Sequence, residues 1–149
     1  MTKKEFAAAL DSALKAVRKE YGFTQEKMAA VLGISKKTLV EIEKGRSSLG
    51  WTGAAAFAAI FRESGIWQAQ FGGDLDDFVE ALAFAEAEPQ YPKTMGGRVW
   101  WREIWKEKGY RIQQNVVSGH FRLLDRENRR LMASFTLERV LERLKEELQ

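Results

Sequence analysis

The stretch Thr24-QEKMAAVLGISKKTLVEIEK-Gly45 decides the fold of the first half of this chain. Thr24 is a good helix N-cap, although Lys27 stands where a glutamate would complete a capping box. A short helix is predicted from Gln25 to Leu32, broken at Gly33, where a positive φ suits the turn. Ser35 can cap a second helix, Lys36 to Lys44, and Gly45 falls where a glycine commonly follows a helix end. Two short helices joined by about three residues cross steeply only when their contact points are small or apolar. Ala29 is small, and Met28, Leu32, Ile34, Leu39 and Ile42 supply an interior. The outward positions of the second helix are then Lys36, Lys37, Thr38, Val40, Glu41 and Lys44. Most of these are long and polar, which suits a helix face meeting the major groove of DNA.

On these residues the segment resembles the helix-turn-helix of the Cro/C1 (XRE-type) regulators, over roughly Ala13 to Phe61. With Gln25 opening the motif, the family's apolar positions fall on Met28, Leu32, Ile34, Leu39 and Ile42, and its small positions on Ala29 and Gly33. The pairing of Thr24-Gln25 with Glu43-Lys44-Gly45-Arg46 is also typical of it. The resemblance implies a lambda-repressor-like all-helical domain of four to five helices, with double-stranded DNA as its partner. It implies that Gln25, at a helix N-terminus, holds a phosphate. Ser35, Lys36 and Lys37 would be DNA-binding residues at the opening of the recognition helix, the lysines reaching guanine O6 and N7. Thr38 would contact a thymine methyl or a phosphate, Glu41 would accept from cytosine N4, and Lys44 and Arg46 would clamp phosphates. The family commonly binds two half-sites as a homodimer, about 34 Å apart. Two features depart from the pattern. Leu49-Gly50-Trp51-Thr52-Gly53-Ala54 stands where a proline or polar loop and a leucine-rich helix are usual, and Val40 stands where a polar residue is frequent.

Outward from the motif, Phe6, Leu10, Leu14, Val17 and Tyr21 recur at spacings of three and four, so a first helix with one apolar face ends at Gly22. An Ala-rich helix is expected from Thr52 to Glu63, interrupted by Ser64-Gly65. Asp74 reads as the cap of a further helix, with Asp76 and Asp77 in a first turn that favours anions, running to about Ala87. Both prolines of the chain lie in Glu88-Pro89-Gln90-Tyr91-Pro92, the expected domain boundary. The chain therefore divides into a DNA-binding domain over 1–87, a linker over 88–95, and a small domain over 96–149. In the last, a short helix is expected at Val99 to Lys108. Strands follow at Tyr110 to Val117, Gly119 to Leu124 and Arg130 to Phe135, and a final helix at Leu137 to Leu148. The fold class is thus α+β, with the small domain a helix, a three-stranded antiparallel sheet and a helix.

Composition bounds the chemistry. The 149 residues contain no cysteine and one histidine, His120, which removes disulfides, thiolate metal sites and a Cys nucleophile. No nucleophile–base pair can be named, and capping explains Asp76 and Asp77. An enzyme, a metal site and a cofactor are accordingly not expected. His120 reads as a locally bonded turn or strand residue. Trp100, Trp101 and Trp105 read as packing onto the sheet, or as a ligand pocket or protein interface. No run approaches a membrane span, and no signal peptide opens the chain, so the expectation is a cytoplasmic, nucleoid-associated protein. The net charge of +3 is unevenly spread. Met1 to Ser48 has 10 basic and 6 acidic residues, Leu49 to Met95 has 2 and 7, and Gly96 to Gln149 has 12 and 8. The functional expectation is sequence-specific DNA binding by a transcriptional regulator, a repressor ahead of an activator. Its small domain would dimerise, sense a ligand or recruit a protein partner. The alternative is an antitoxin, or another protein-interaction module, that uses the same DNA-binding half for autoregulation.

Overall fold

Helix α1 (Lys3–Glu20) begins in a complete capping box, because the Thr2 hydroxyl accepts from the Glu5 amide at 3.1 Å while the Glu5 carboxylate accepts from the Thr2 amide at 2.9 Å. Its apolar face carries Phe6, Leu10, Leu14 and Val17, all fully buried. The computed structural model describes residues 1–73, 75–90 and 99–149, and the chain divides into two compact units, Met1–Tyr91 and Pro92–Gln149. Asp74, expected as a helix cap, and positions 91–95 of the expected linker lie outside the described residues.

The first unit is all-helical. After α1 come α2 (Gln25–Leu32), α3 (Lys36–Glu43), α4 (Gly50–Ile60), α5 (Gly65–Phe71) and α6 (Leu75–Ala83). Four to five helices were expected and six are described. The added one is α5, at Ser64-Gly65, where the sequence reads as an interruption. Ser64 caps it, accepting from the Ile66 amide at 3.3 Å, and Trp67 anchors it by burying its ring and donating Nε1–H to the Phe61 carbonyl at 2.9 Å. A buried aromatic with its polar edge satisfied is enough to hold so short a helix. Helix α4 begins at Gly50 rather than Thr52, where the Leu49 amide donates to Asp11 on α1 at 2.8 Å. Helix α6 ends at Ala83 rather than near Ala87. Phe6 ties these elements together, with its ring centroid 5.6 Å from Trp51, 5.6 Å from Phe71 and 5.8 Å from Phe78.

The second unit is an antiparallel meander, β1 (Trp101–Glu107), β2 (Tyr110–Asn115), β3 (Phe121–Leu124) and β4 (Arg130–Ser134), followed by α7 (Leu137–Leu148). The helix expected at Val99 to Lys108 is therefore corrected: residues 101–107 are a strand, and the sheet has four strands, not three. The cause is the turn. Lys108 and Gly109 have φ of 54° and 85°, the two positive values that a tight hairpin demands. That turn folds 101–107 back onto β2, with Trp105 opposite Ile112 and Glu107 opposite Tyr110. Tryptophan and isoleucine favour such a surface over a helix. Helix α7 packs on one sheet face, where Ile112, Leu123, Val140 and Leu144 are buried with Trp105, Phe121 and Met132 against them. Leu141 and Leu148, expected on the same stripe, remain 40% exposed.

Candidate nucleic-acid interface

The turn between α2 and α3 follows from its residues. Thr24 caps α2 through the Lys27 amide at 3.1 Å. Gly33 then takes φ +74°, and the Ile34 amide returns to the Ala29 carbonyl at 3.0 Å. Ser35 caps α3, accepting from the Thr38 amide at 3.0 Å and donating to the Thr38 hydroxyl at 2.8 Å. Met28 and Ala29 on α2 and Leu39 and Ile42 on α3 are buried in one core with α1 and α4. The end of α3 closes on itself, the Gly45 amide bonding Ile42 O at 3.0 Å and the Arg46 amide bonding Glu41 O at 2.9 Å.

With Leu39 and Ile42 turned inward, the outward line of α3 is Lys37, Glu41 and Lys44, spaced by four and three. Lys36, Lys37, Thr38, Lys44 and Arg46 are exposed, as is Ser35, while Glu41 is partly covered. Val40, read as outward, is half-buried. Lys36 Nζ lies 3.2 Å from Glu26, both side chains largely in solvent, and Arg46 lies 3.9 Å from Glu41. Exposed pairs of this kind are worth about 0–1 kcal/mol, so either cation can exchange its partner for a phosphate or a base edge. Gln25 differs from the rest. It is partly buried, and its Nε2 donates to Glu43 Oε2 at 2.9 Å. The amide retains a second N–H for an outside acceptor.

Glu43 is the residue that pattern reading overlooked as an organiser. Its carboxylate also accepts from Arg18, at 3.0 Å from Nε and 2.9 Å from Nη2, and Arg18 donates from Nη1 to the Phe23 carbonyl at 3.1 Å. The two side chains are only 12% and 5% exposed. The last turn of α3 is thereby clamped to α1 and to the first residue of α2. The signal was available in the spacing, since Glu43 follows Leu39 by four and falls on the inward side, where an acid needs a partner.

A family comparison decides what this geometry is. Residues 14–50 match the helix-turn-helix family model. The matched segment runs from the middle of α1 through the opening residue of α4, so the helix-turn-helix is α2 and α3 on the support of α1. The match supports DNA binding and a role in transcriptional regulation by the unit that holds it. Comparison with curated proteins returns no match, nor does comparison with solved structures. Among the described residues no group of three or more histidines and acids could hold a metal ion, and no helix is long and apolar enough to cross a membrane.

Proposed function

We propose that this chain is a sequence-specific binder of double-stranded DNA that lays α3 in the major groove and regulates transcription, with repression ahead of activation because occupancy alone can block a promoter. The observation that carries the reading is the outward line of α3: exposed lysines on a helix whose opposite side is fixed by Leu39, Ile42 and the Glu43 clamp. In this reading Lys36 and Lys37 reach guanine edges from the first turn, Thr38 meets a thymine methyl or phosphate, and Glu41 accepts from cytosine. Ser35 holds the first turn in place. Lys44 and Arg46 contact phosphates at the far end of the helix, and Gln25 offers its remaining N–H to a phosphate at the start of α2. A single small reading head makes few base contacts, so a homodimer on two half-sites supplies the affinity. Residues 96–149 form the domain that dimerises, senses or recruits.

Selection of bound sequences from a random duplex pool should return a short preferred site. Lys36→Ala with Lys37→Ala should then weaken binding to that site by about 1–3 kcal/mol per lost base contact. The thermal transition should not move, because both side chains are exposed. Unchanged specific affinity in the double variant would overturn the assignment of α3.

A further inference from the structure

The DNA-reading unit carries the wrong overall charge for its ligand. Residues Met1–Tyr91 contain 11 basic and 13 acidic side chains, a net −2, while Pro92–Gln149 contain 13 basic and 8 acidic, a net +5. Attraction to a phosphate backbone is dominated by such charge. Within the second unit the cations are not on the helix, since α7 and the closing Gln149 hold 3 basic and 4 acidic residues. Of the other ten, the eight that fall among the described residues are on the strands and the turns between them.

One sheet face is covered by α7 and the other is covered by no element of this unit among the described residues. Alternation puts Arg111, Gln113 and Arg122 on that second face, opposite in sense to Ile112 and Leu123. Arg122 is held flat. Its guanidinium lies 3.7 Å from the Trp101 ring centroid, and its Nε and Nη2 both donate to Gln113 Oε1, at 2.9 Å and 2.7 Å. Nη1 has no hydrogen-bond partner among the described residues. The Trp101 ring is backed edge-on by His120 at 5.0 Å. Arg111 is the diagonal neighbour of Arg122 on the same face, with Glu103 at 3.6 Å from it. Partial burial, and then the charge of Arg111, push the Arg122 pKa down. Arg111 also donates from Nη2 to the Asn128 side chain, so this face gathers two guanidinium groups, one stacked on Trp101 and one whose partly exposed Glu103 partner a phosphate can replace.

We infer that this open sheet face, through Arg111 and the Trp101-stacked Arg122, is a second phosphate-binding surface that holds the backbone of duplex DNA. The inference rests on the chain being a duplex-DNA binder, but not on α3 being the reading helix. A planar, pre-oriented guanidinium is suited to bidentate phosphate contact. The surface would contribute affinity without sequence preference.

The test is a fluorescence-anisotropy titration of the full chain against a short duplex of arbitrary sequence over a series of salt concentrations. Arg111→Gln with Arg122→Gln should lower affinity roughly tenfold and flatten the salt slope by about 0.9 per arginine. Arg111→Lys with Arg122→Lys should keep most of the slope, which separates lost charge from a damaged sheet. The control pair Arg139→Gln with Lys145→Gln removes the same charge from α7 and should change far less. An equal effect in the control, no effect of the arginines, or tighter binding of a single strand than of the duplex overturns the inference. The arginine effect should persist in the Lys36→Ala, Lys37→Ala background, so failure of the sheet and failure of α3 give different results.

Discussion

Replacing Glu43 by leucine should strand Arg18 and loosen the hold on α3. The carboxylate accepts three hydrogen bonds, two from Arg18 and one from Gln25, all between 2.9 and 3.0 Å. Removing one member of a buried pair costs about 3–5 kcal/mol, mostly because the other charge stays buried and unpaired. Here Arg18 keeps the Phe23 carbonyl and is 12% exposed, so water relieves part of the penalty. The expected loss is therefore at the lower end, about 3 kcal/mol. For a helical unit of this size that is a fall of roughly 12–24 °C in the melting transition. The informative experiment is the full cycle of Glu43→Leu, Arg18→Met and both together, followed by urea and thermal unfolding. Exchanging a whole buried pair for apolar groups is often close to neutral, so the double variant should recover most of the loss. Since Arg18→Met in turn strands the Glu43 carboxylate, the coupling energy should exceed about 2 kcal/mol. If the two single losses simply add, the pair is not coupled and the clamp assigned to it does not exist.

Two further outcomes test the turn and the second unit. At Gly33 an added Cβ would meet nothing within 4 Å, so Gly33→Ala should cost only the backbone strain of φ +74°, about 1 kcal/mol, read as a modest drop in melting temperature; complete unfolding would mean the turn is packed more tightly than described. Asp125 accepts at Oδ1 from the Glu127 and Arg129 amides, each at 2.9 Å, and at Oδ2 from the Arg129 side chain. The Arg129 amide chiefly, with that side chain and the Glu127 amide, holds its pKa below the ordinary 3.8 against some desolvation. A depressed carboxylate stabilises the fold above its unfolded pKa and stops doing so as pH falls through the folded value. The second unit should therefore weaken on acidification below about pH 4, and Asp125→Asn should remove part of that acid sensitivity. Identical acid profiles for the two proteins would reject the role given to this turn.

The readable parts of the sequence were those in which each residue had one job. In α1, α2 and α3 the spacing of Phe6, Leu10, Leu14, Met28, Leu39 and Ile42 coincides with burial because one face of each helix meets a single core. The unreadable parts were those whose state depends on a distant partner. Trp100, Trp101, Ile104 and Trp105 have helical spacing. Pairing with β2 across the Lys108-Gly109 turn makes this a strand instead, and the register shift between Glu103 and Trp105 sends Trp105 to the α7 face and Trp101 to the opposite one. Helix α5 is only seven residues long, below what propensity can support, and exists because Trp67 is buried against Phe57 and Phe61 O. At the interface, the exposed cations were legible as a set because exposure follows from periodicity. Gln25 was not, since its partner lies 18 positions away on Glu43.

Charge shows the same dependence on folding. Taken along the chain, the basic first third looks like the source of attraction to DNA and the acidic middle looks like a separate segment. Folding joins them. The acidic residues Asp76, Asp77 and Glu80 of α6 belong to the same unit as α3, and Arg18 is consumed internally by Glu43. What α3 has left is a local line of lysines on a unit that is slightly negative as a whole. Such a line can choose among base pairs at short range, where screening over roughly 8 Å hides the distant acids. Its own phosphate contacts, proposed for Lys44, Arg46 and Gln25, are few in one copy, so dimerisation and the proposed sheet face both add to them. On the two proposals made above, selectivity and attraction are separable in this chain, the first assigned to α3 and the second in part to the sheet face of the other unit. A variant that loses one should keep the other.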